Sequence, residues 1–130
     1  LGLIYLDACI LIYLVERHPD FCDRVERALA ASDARFAVSP LVKLECLVQP
    51  MRHGDLVRQR HFEAALAELQ LLPMPESVYF AAAQLRARFN LRTPDALHLA
   101  CAQVHGCEAL WTNDDRLVAA SHGLAINILS

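Results

Sequence analysis

A single carboxylate, Asp7, stands inside the most apolar stretch of the chain, LGLIYLDACILIYLV from Leu1 to Val15. The run is shorter than the roughly 20 residues that a membrane helix needs, and a charge divides it. It is expected to split into a short strand, Leu3 to Leu6, and a helix from about Ala8 to Glu16, with Asp7 at the junction. The alternation continues along the chain. RFAV (Arg35 to Val38), Leu71 to Met74, EALWT (Glu108 to Thr112) and Ala125 to Leu129 read as further strands. Between them lie helical stretches: one opened by Pro19 and Asp20, PLVKLECLVQ opened by Ser39-Pro40, a long one that follows Gly54 and runs through Leu69, and Glu76 to Phe89. A last one, DALHLACAQVHG, follows Thr93-Pro94 and ends at Gly106. Ser-Pro and Thr-Pro read as a cap followed by proline at the first helical position. Mostly unbroken apolar strands alternating with helices predict an α/β fold whose parallel sheet is covered on both faces. Ligands of such sheets bind beyond the carboxyl ends of the strands.

The length, 130 residues, fits one domain, and 55% apolar residues suffice for a core. A net charge of −3 means that any contact with a polyanion must come from a local basic patch. Lys43 is the one lysine beside eleven arginines. The five cysteines are odd in number and contain no CxxC, and no basic leader precedes the first apolar run. A reducing, cytoplasmic location without membrane attachment is expected.

Four acidic residues occupy positions that ask for an explanation. Asp7 closes a strand in apolar surroundings, where a carboxylate must be paired, protonated or metal-bound, unless it caps the next helix. Glu45 falls within or beside the apolar face Leu41, Leu44 and Val48, and its head either reaches water or enters a site. Asp95 lies in the first turn of its helix, a place that favours a carboxylate for structural reasons alone. Asp114, in TNDD, follows the fourth strand and fits either a turn or a ligand. Two of the four sit just past strand ends and two early in helices after a loop, so all four can face one end of the sheet. Clustered carboxylates repel one another unless a cation is present. Oxygen ligands suit Mg²⁺ or Mn²⁺, and such a site suits phosphodiester hydrolysis.

In their order along the chain, IYLDACILIYLVE, SPLVKLECLV, TPDALHLA and WTNDDRL resemble a PIN domain, with the nearest likeness to VapC-type toxins of prokaryotic toxin–antitoxin pairs. The likeness covers nearly the whole chain. It implies a five-stranded parallel sheet flanked by helices, a metal-dependent endoribonuclease using Mg²⁺ or Mn²⁺, a homodimer and a small VapB-like antitoxin partner. It also implies that Asp7, Glu45, Asp95 and Asp114 are the catalytic, metal-holding quartet and that Thr112 is a supporting hydroxyl. Hydrolysis to a 5′-phosphate and a 3′-hydroxyl is likewise an implication of the family. The position two residues after the last aspartate, acidic in many members, is Arg116 here, which withholds a ligand from a second metal.

Arg86, Arg88 and Arg92 lead directly into Asp95 and are the candidate RNA contacts, with a solvated helix face as the alternative. Arg52, His53, Arg58, Arg60 and His61 form a second basic cluster. His98, Cys101 and His105 have a spacing that could suggest zinc, but no second ligand pair exists, so a core cysteine with partly buried histidines is expected. A phosphatase with Asp7 as nucleophile would need an acid where Cys9 stands and a lysine further along the chain, and the only lysine, Lys43, precedes Asp95 and Asp114. A PIN-like RNA-processing nuclease that is no toxin, and a non-catalytic RNA-binding module, are the remaining alternatives.

Overall fold

The computed structural model describes residues 2–130, so Leu1, the first residue of the opening apolar run, lies outside the described residues. The elements run β1 (Leu3–Leu6), α1 (Ala8–Val15), α2 (Cys22–Ala30), β2 (Arg35–Val38), α3 (Pro40–Arg52) and α4 (Leu56–Ala67). They continue with β3 (Gln70–Leu71), α5 (Glu76–Arg88), α6 (Thr93–Val104), β4 (Ala109–Thr112), α7 (Asp115–Ala120) and β5 (Ala125–Asn127). The strands form one sheet in the order β3-β2-β1-β4-β5, and every neighbouring pair is parallel. Tyr5 of β1 lies opposite Ala37 on one side and Leu110 on the other. From β1 the chain first winds outward through β2 to β3, then returns to the other side of β1 for β4 and β5. The reversal makes the carboxyl ends of β1 and β4 the switch point of the sheet, where a crevice forms.

The central strands are unbrokenly apolar because both of their faces are covered. Ile4, Tyr5 and Leu6 are buried, as is every residue from Ala109 to Thr112. Helix α6 is buried at seven successive positions, Ala96 to Ala102, and four of these are the small residues Ala96, Ala100, Cys101 and Ala102. They let α5 and the sheet approach α6 closely. Its end is a Schellman turn, as Gly106 in the sequence predicts. Gly106 has φ +67°, its N–H donates to the Gln103 carbonyl, and the Cys107 N–H donates to the Ala102 carbonyl.

Several boundaries differ from those read in the sequence. The third strand is Gln70–Leu71 rather than Leu71 to Met74, since Pro73 has no N–H to continue a ladder. Helix α2 begins at Cys22, and residues 19–21 form a turn. Helix α3 runs through Pro50 to Arg52, because a proline near the end of a helix sacrifices only one hydrogen bond. The fifth strand stops at Asn127. Helix α7 has no counterpart in the sequence reading: six residues are too few to display a period. The caps differ too. Ser39 occupies the N-cap of α3 without a side-chain capping bond, and α6 starts at Thr93 itself, with Arg92 as an N-cap whose side chain makes no capping bond.

Candidate metal centre at the carboxyl end of the sheet

Asp7 leaves β1 directly at the switch point, where its N–H donates to the Trp111 carbonyl at 3.0 Å. It occupies the N-cap of α1 with extended backbone, yet its carboxylate makes no cap bond. Instead, Oδ2 accepts from the Thr112 hydroxyl at 2.8 Å. Thr112, fully buried at the end of β4, in turn accepts from the Asp114 N–H at 3.1 Å. One hydroxyl thus links the ends of the two central strands. Asn113 adds a second link by donating to the Tyr13 hydroxyl of α1 at 2.6 Å.

Glu45 arrives from α3. The buried face of that helix is Val42, Cys46 and Pro50, and Leu44 is exposed, so the expected face through Leu41, Leu44 and Val48 is rotated. The rotation leaves Glu45 at the edge of the buried stripe, its side chain 29% exposed. Its Oε1 accepts from His98 Nε2 of α6 at 2.6 Å, and that nitrogen lies 3.8 Å from Asp7 Oδ1. Ligand atoms of Asp7, Glu45 and His98 all come within 4.8 Å of one another, the one such group of three among the described residues.

Asp95 and Asp114 stand outside this tight group. Asp114 caps α7, with Oδ1 accepting from the Arg116 N–H at 2.9 Å, and it joins Asp7 through Thr112. Asp95 lies one helical turn before His98 on α6, and its Oδ2 pairs with Arg92 Nε at 3.2 Å. Burial nevertheless singles out all four. Of the fifteen acidic residues, ten are exposed and five are not: Asp7, Glu45, Asp55, Asp95 and Asp114. Asp55 has an ordinary structural task, accepting from the Arg58 N–H at 3.0 Å to cap α4.

Asp95 and Asp114 meet the exposed guanidinium groups of Arg92 and Arg116, the latter at 3.9 Å, whereas among the described residues Asp7 has no arginine or lysine partner. Burial lifts the Asp7 carboxyl above its ordinary value, His98 and the Thr112 hydroxyl pull it back, and Glu45 lifts it again. The neighbouring thiols are inert. Burial, helped by Asp7, pushes the Cys9 thiol well up, and burial pushes Cys46 up to about 12, so neither supplies a thiolate. The five cysteines are free, and no helix is long and apolar enough to cross a membrane.

The arginines of the α5–α6 region have divided tasks. Arg86 donates to the Leu91 carbonyl at 3.0 Å and to the Thr93 hydroxyl at 2.9 Å, bracing the loop into α6. Arg92 is the partner of Asp95. Arg88 lies 5.7 Å from the Phe89 ring centre and, with Arg116, lines an open groove of about 420 Å³ beside the crevice. In the other basic cluster Arg58 pairs with Glu16 and Asp55. His105 donates to, or is aligned with, no metal-ligating side chain; its Nε2 meets the Pro73 carbonyl at 2.7 Å, so the zinc spacing is coincidental. His98, however, is 1% exposed and belongs to the site, which the sequence reading missed. The usable signal was its place one turn after Asp95.

Comparison with known proteins gives a consistent result. A family model described as PIN domain matches residues 4–123. Ribonuclease VapC46 of Mycobacterium tuberculosis (strain ATCC 25618 / H37Rv) is 34% identical over 129 residues, covering 98% of this chain and 96% of the relative. Among solved structures, a toxin–antitoxin complex from Klebsiella pneumoniae superposes with a TM-score of 0.80 at 23% identity, covering 96% of this chain and 97% of that one. VapBC2 from Rickettsia felis, bound to a promoter DNA fragment, gives 0.80 at 19% identity over 96% and 98% of the two chains. VapC20 of Mycobacterium tuberculosis, a sarcin–ricin loop cleaving toxin, gives 0.74 at 17% identity over 90% and 94%.

Proposed function

The chain belongs to the PIN-domain family, alongside VapC-type ribonucleases, and from that premise we propose that it is a metal-dependent endoribonuclease acting as the toxin of a toxin–antitoxin pair. The observation that carries this reading is selective burial. Asp7, Glu45, Asp95 and Asp114 are part-buried, as is only Asp55 among the other acids, and the arginines that meet Asp95 and Asp114 are themselves exposed. Carboxylate oxygens are the donor chemistry that Mg²⁺ and Mn²⁺ take, so the residues fit such an ion. Asp7, Asp95 and Asp114 would hold it, with Glu45 as a further ligand or as the orienter of the attacking water.

Such an ion supplies Lewis acidity to a phosphodiester and acidifies a water molecule. The chain supplies the positioning. Thr112 fixes the Asp7 carboxylate, and Glu45 keeps one oxygen on His98, which leaves the other for a water molecule. Arg88 and Arg116 line the groove in which an RNA backbone would lie, and hydrolysis would leave a 5′-phosphate and a 3′-hydroxyl. The likeness to toxin–antitoxin complexes supports a small VapB-like antitoxin as partner; a homodimer as the working unit belongs to the same proposal. An antitoxin segment that carries an arginine would pair with these carboxylates and keep both metal and RNA out.

The test compares single-stranded RNA with a small phosphomonoester under Mg²⁺, Mn²⁺ and chelator. RNA should be cut only with the ions, and the phosphomonoester should survive. Cleavage in chelator, or turnover of the phosphomonoester, would contradict the reading. Expression without the upstream small gene should stop growth and co-expression should restore it; harmless expression would make the chain an RNA-processing nuclease and no toxin.

A further inference from the structure

The core contains one buried polar line. Tyr5 and Ser39 are fully buried and His98 is 1% exposed. The Tyr5 hydroxyl lies 2.7 Å from Ser39 Oγ and 2.6 Å from His98 Nδ1, and His98 Nε2 lies 2.6 Å from Glu45 Oε1. Four elements meet in it: β1, the residue after β2, α6 and α3. Ser39 gives up the capping of α3 to take part. No buried side-chain polar atom among the described residues lacks a partner, so the line is complete.

Its direction at the Glu45 end follows from donor chemistry. An ionised carboxylate only accepts, so the proton between His98 and Glu45 sits on Nε2. In the ring with one proton, Nδ1 accepts from the Tyr5 hydroxyl; in the doubly protonated ring, Nδ1 donates to it, and Nε2 donates to Glu45 in both. Tyr5 and Ser39 share the remaining hydrogen bond, and each member of the line polarises the next. A nitrogen that carries a proton has no lone pair for a metal. His98 therefore cannot ligate an ion through Nε2 while it holds Glu45, although it is one of the three residues that meet within 4.8 Å.

We propose that Ser39, Tyr5 and His98 form a positioning relay that fixes one oxygen of Glu45, and that His98 is a donor to this carboxylate and no ligand of the metal. The inference rests on the metal-dependent reading above. It makes the ligand set all oxygen, which favours Mg²⁺ and Mn²⁺ over ions that seek imidazole, such as Zn²⁺. Outer partners of this kind commonly govern metal affinity by about 10- to 100-fold.

The experiment loads the full chain with Mn²⁺ and records pulsed electron paramagnetic resonance, which detects a directly bound imidazole nitrogen. The expected spectrum shows bound Mn²⁺ without a coordinated nitrogen. A coordinated nitrogen overturns this inference and leaves the metal reading intact; no bound Mn²⁺ at all removes the metal reading and the inference with it. Mn²⁺ affinity of variants adds a second readout, with folding checked in chelator. His98→Ala should bind Mn²⁺ about 10- to 100-fold more weakly. His98→Gln, whose amide nitrogen can stand where Nε2 stands, should recover most of the loss, and Tyr5→Phe should show a smaller one. A folded His98→Ala protein with wild-type affinity, or a His98→Gln protein no better than His98→Ala, would contradict the relay. If His98→Ala does not fold, the wild-type spectrum and the Tyr5→Phe affinity decide.

Discussion

Asp7 and Asp55 occupy the same position in two helices and do different things. Each is the N-cap, Asp7 of α1 and Asp55 of α4. Asp55 bonds to the Arg58 N–H and lies near the surface beside the Arg58 guanidinium, so its charge is answered locally. Asp7 turns away from its helix to Thr112, lies deeper, and has a second carboxylate, Glu45, for company. A structural acid brings its partners from its own turn. Asp7 takes its partner from a distant strand, which leaves its other oxygen, Oδ1, towards the interior of the site.

The largest separation of the two should come from neutralisation. Asp7→Asn should lower RNA cleavage on the order of 10²- to 10³-fold, the several kcal/mol that metal stabilisation of a phosphodiester is worth. The fold should survive. In chelator the variant should be more stable than wild type near neutral pH, because the cost of burying a charge, and with it a smaller repulsion from Glu45, is gone. The pH dependence has a definite sign. The folded Asp7 carboxyl holds its proton more tightly than in the unfolded chain. Its contribution is therefore present below the ordinary aspartate value and lost as the pH rises through the raised one. Thermal melts in chelator from pH 3 to pH 7 should show the wild type falling behind Asp7→Asn over that window; a variant that is less stable throughout would make Asp7 structural.

Thr112→Val keeps the shape of the buried side chain and removes its hydroxyl. Mn²⁺ affinity should fall about 10-fold, the lower end for the loss of an outer partner. Unchanged affinity in a titration would show that the bond to Asp7 is idle.

Asp55→Ala sharpens the comparison from the other side. Loss of the cap should cost about 1 kcal/mol, read as a drop of a few degrees in melting temperature, while Mn²⁺ affinity and cleavage stay at wild-type levels. An activity loss that exceeds the loss of folded protein would erase the distinction between the two acids.

The smallest effect concerns RNA. Arg88→Ala and Arg116→Ala together should flatten the salt dependence of RNA binding by about 0.7 for each true phosphate contact. An equal slope in filter binding across salt would return both residues to a solvated face. Arg86→Ala should act differently, through the α5–α6 loop that it braces, and should lower the melting temperature.

The sequence was most legible where one physical constraint dominates. Unbroken apolar strands identified the parallel sheet, and Gly106 marked the end of α6 because a left-handed turn was needed there. Asp7 was visible because charge inside an apolar run has few explanations. Glu45 is singled out in the sequence for an inexact reason: the buried face of α3 is turned away from the expected one, since tertiary packing on α1 and α4 decides which stripe goes inward. His98 and Tyr5 were not found. A histidine among leucines and alanines looks like core, and its role exists only because α3 and β1 bring Glu45 and Tyr5 to its two nitrogens. Helix α7 was lost to its shortness, although Asp114 is a capping residue in plain view. Pairings across 34, 53 and 93 residues leave no local mark in a sequence.

Anomalous diffraction from a crystal of the full chain grown with Mn²⁺ tests the central claim most directly. The account predicts an anomalous peak at the carboxyl ends of β1 and β4, within about 2.0–2.3 Å of an Asp7 carboxylate oxygen, a range near that of magnesium–oxygen bonds. Its oxygen ligands should come from the group Asp7, Glu45, Asp95 and Asp114, and the peak should vanish in Asp7→Asn. A peak bound elsewhere, or none at Mn²⁺ concentrations that support cleavage, would contradict it.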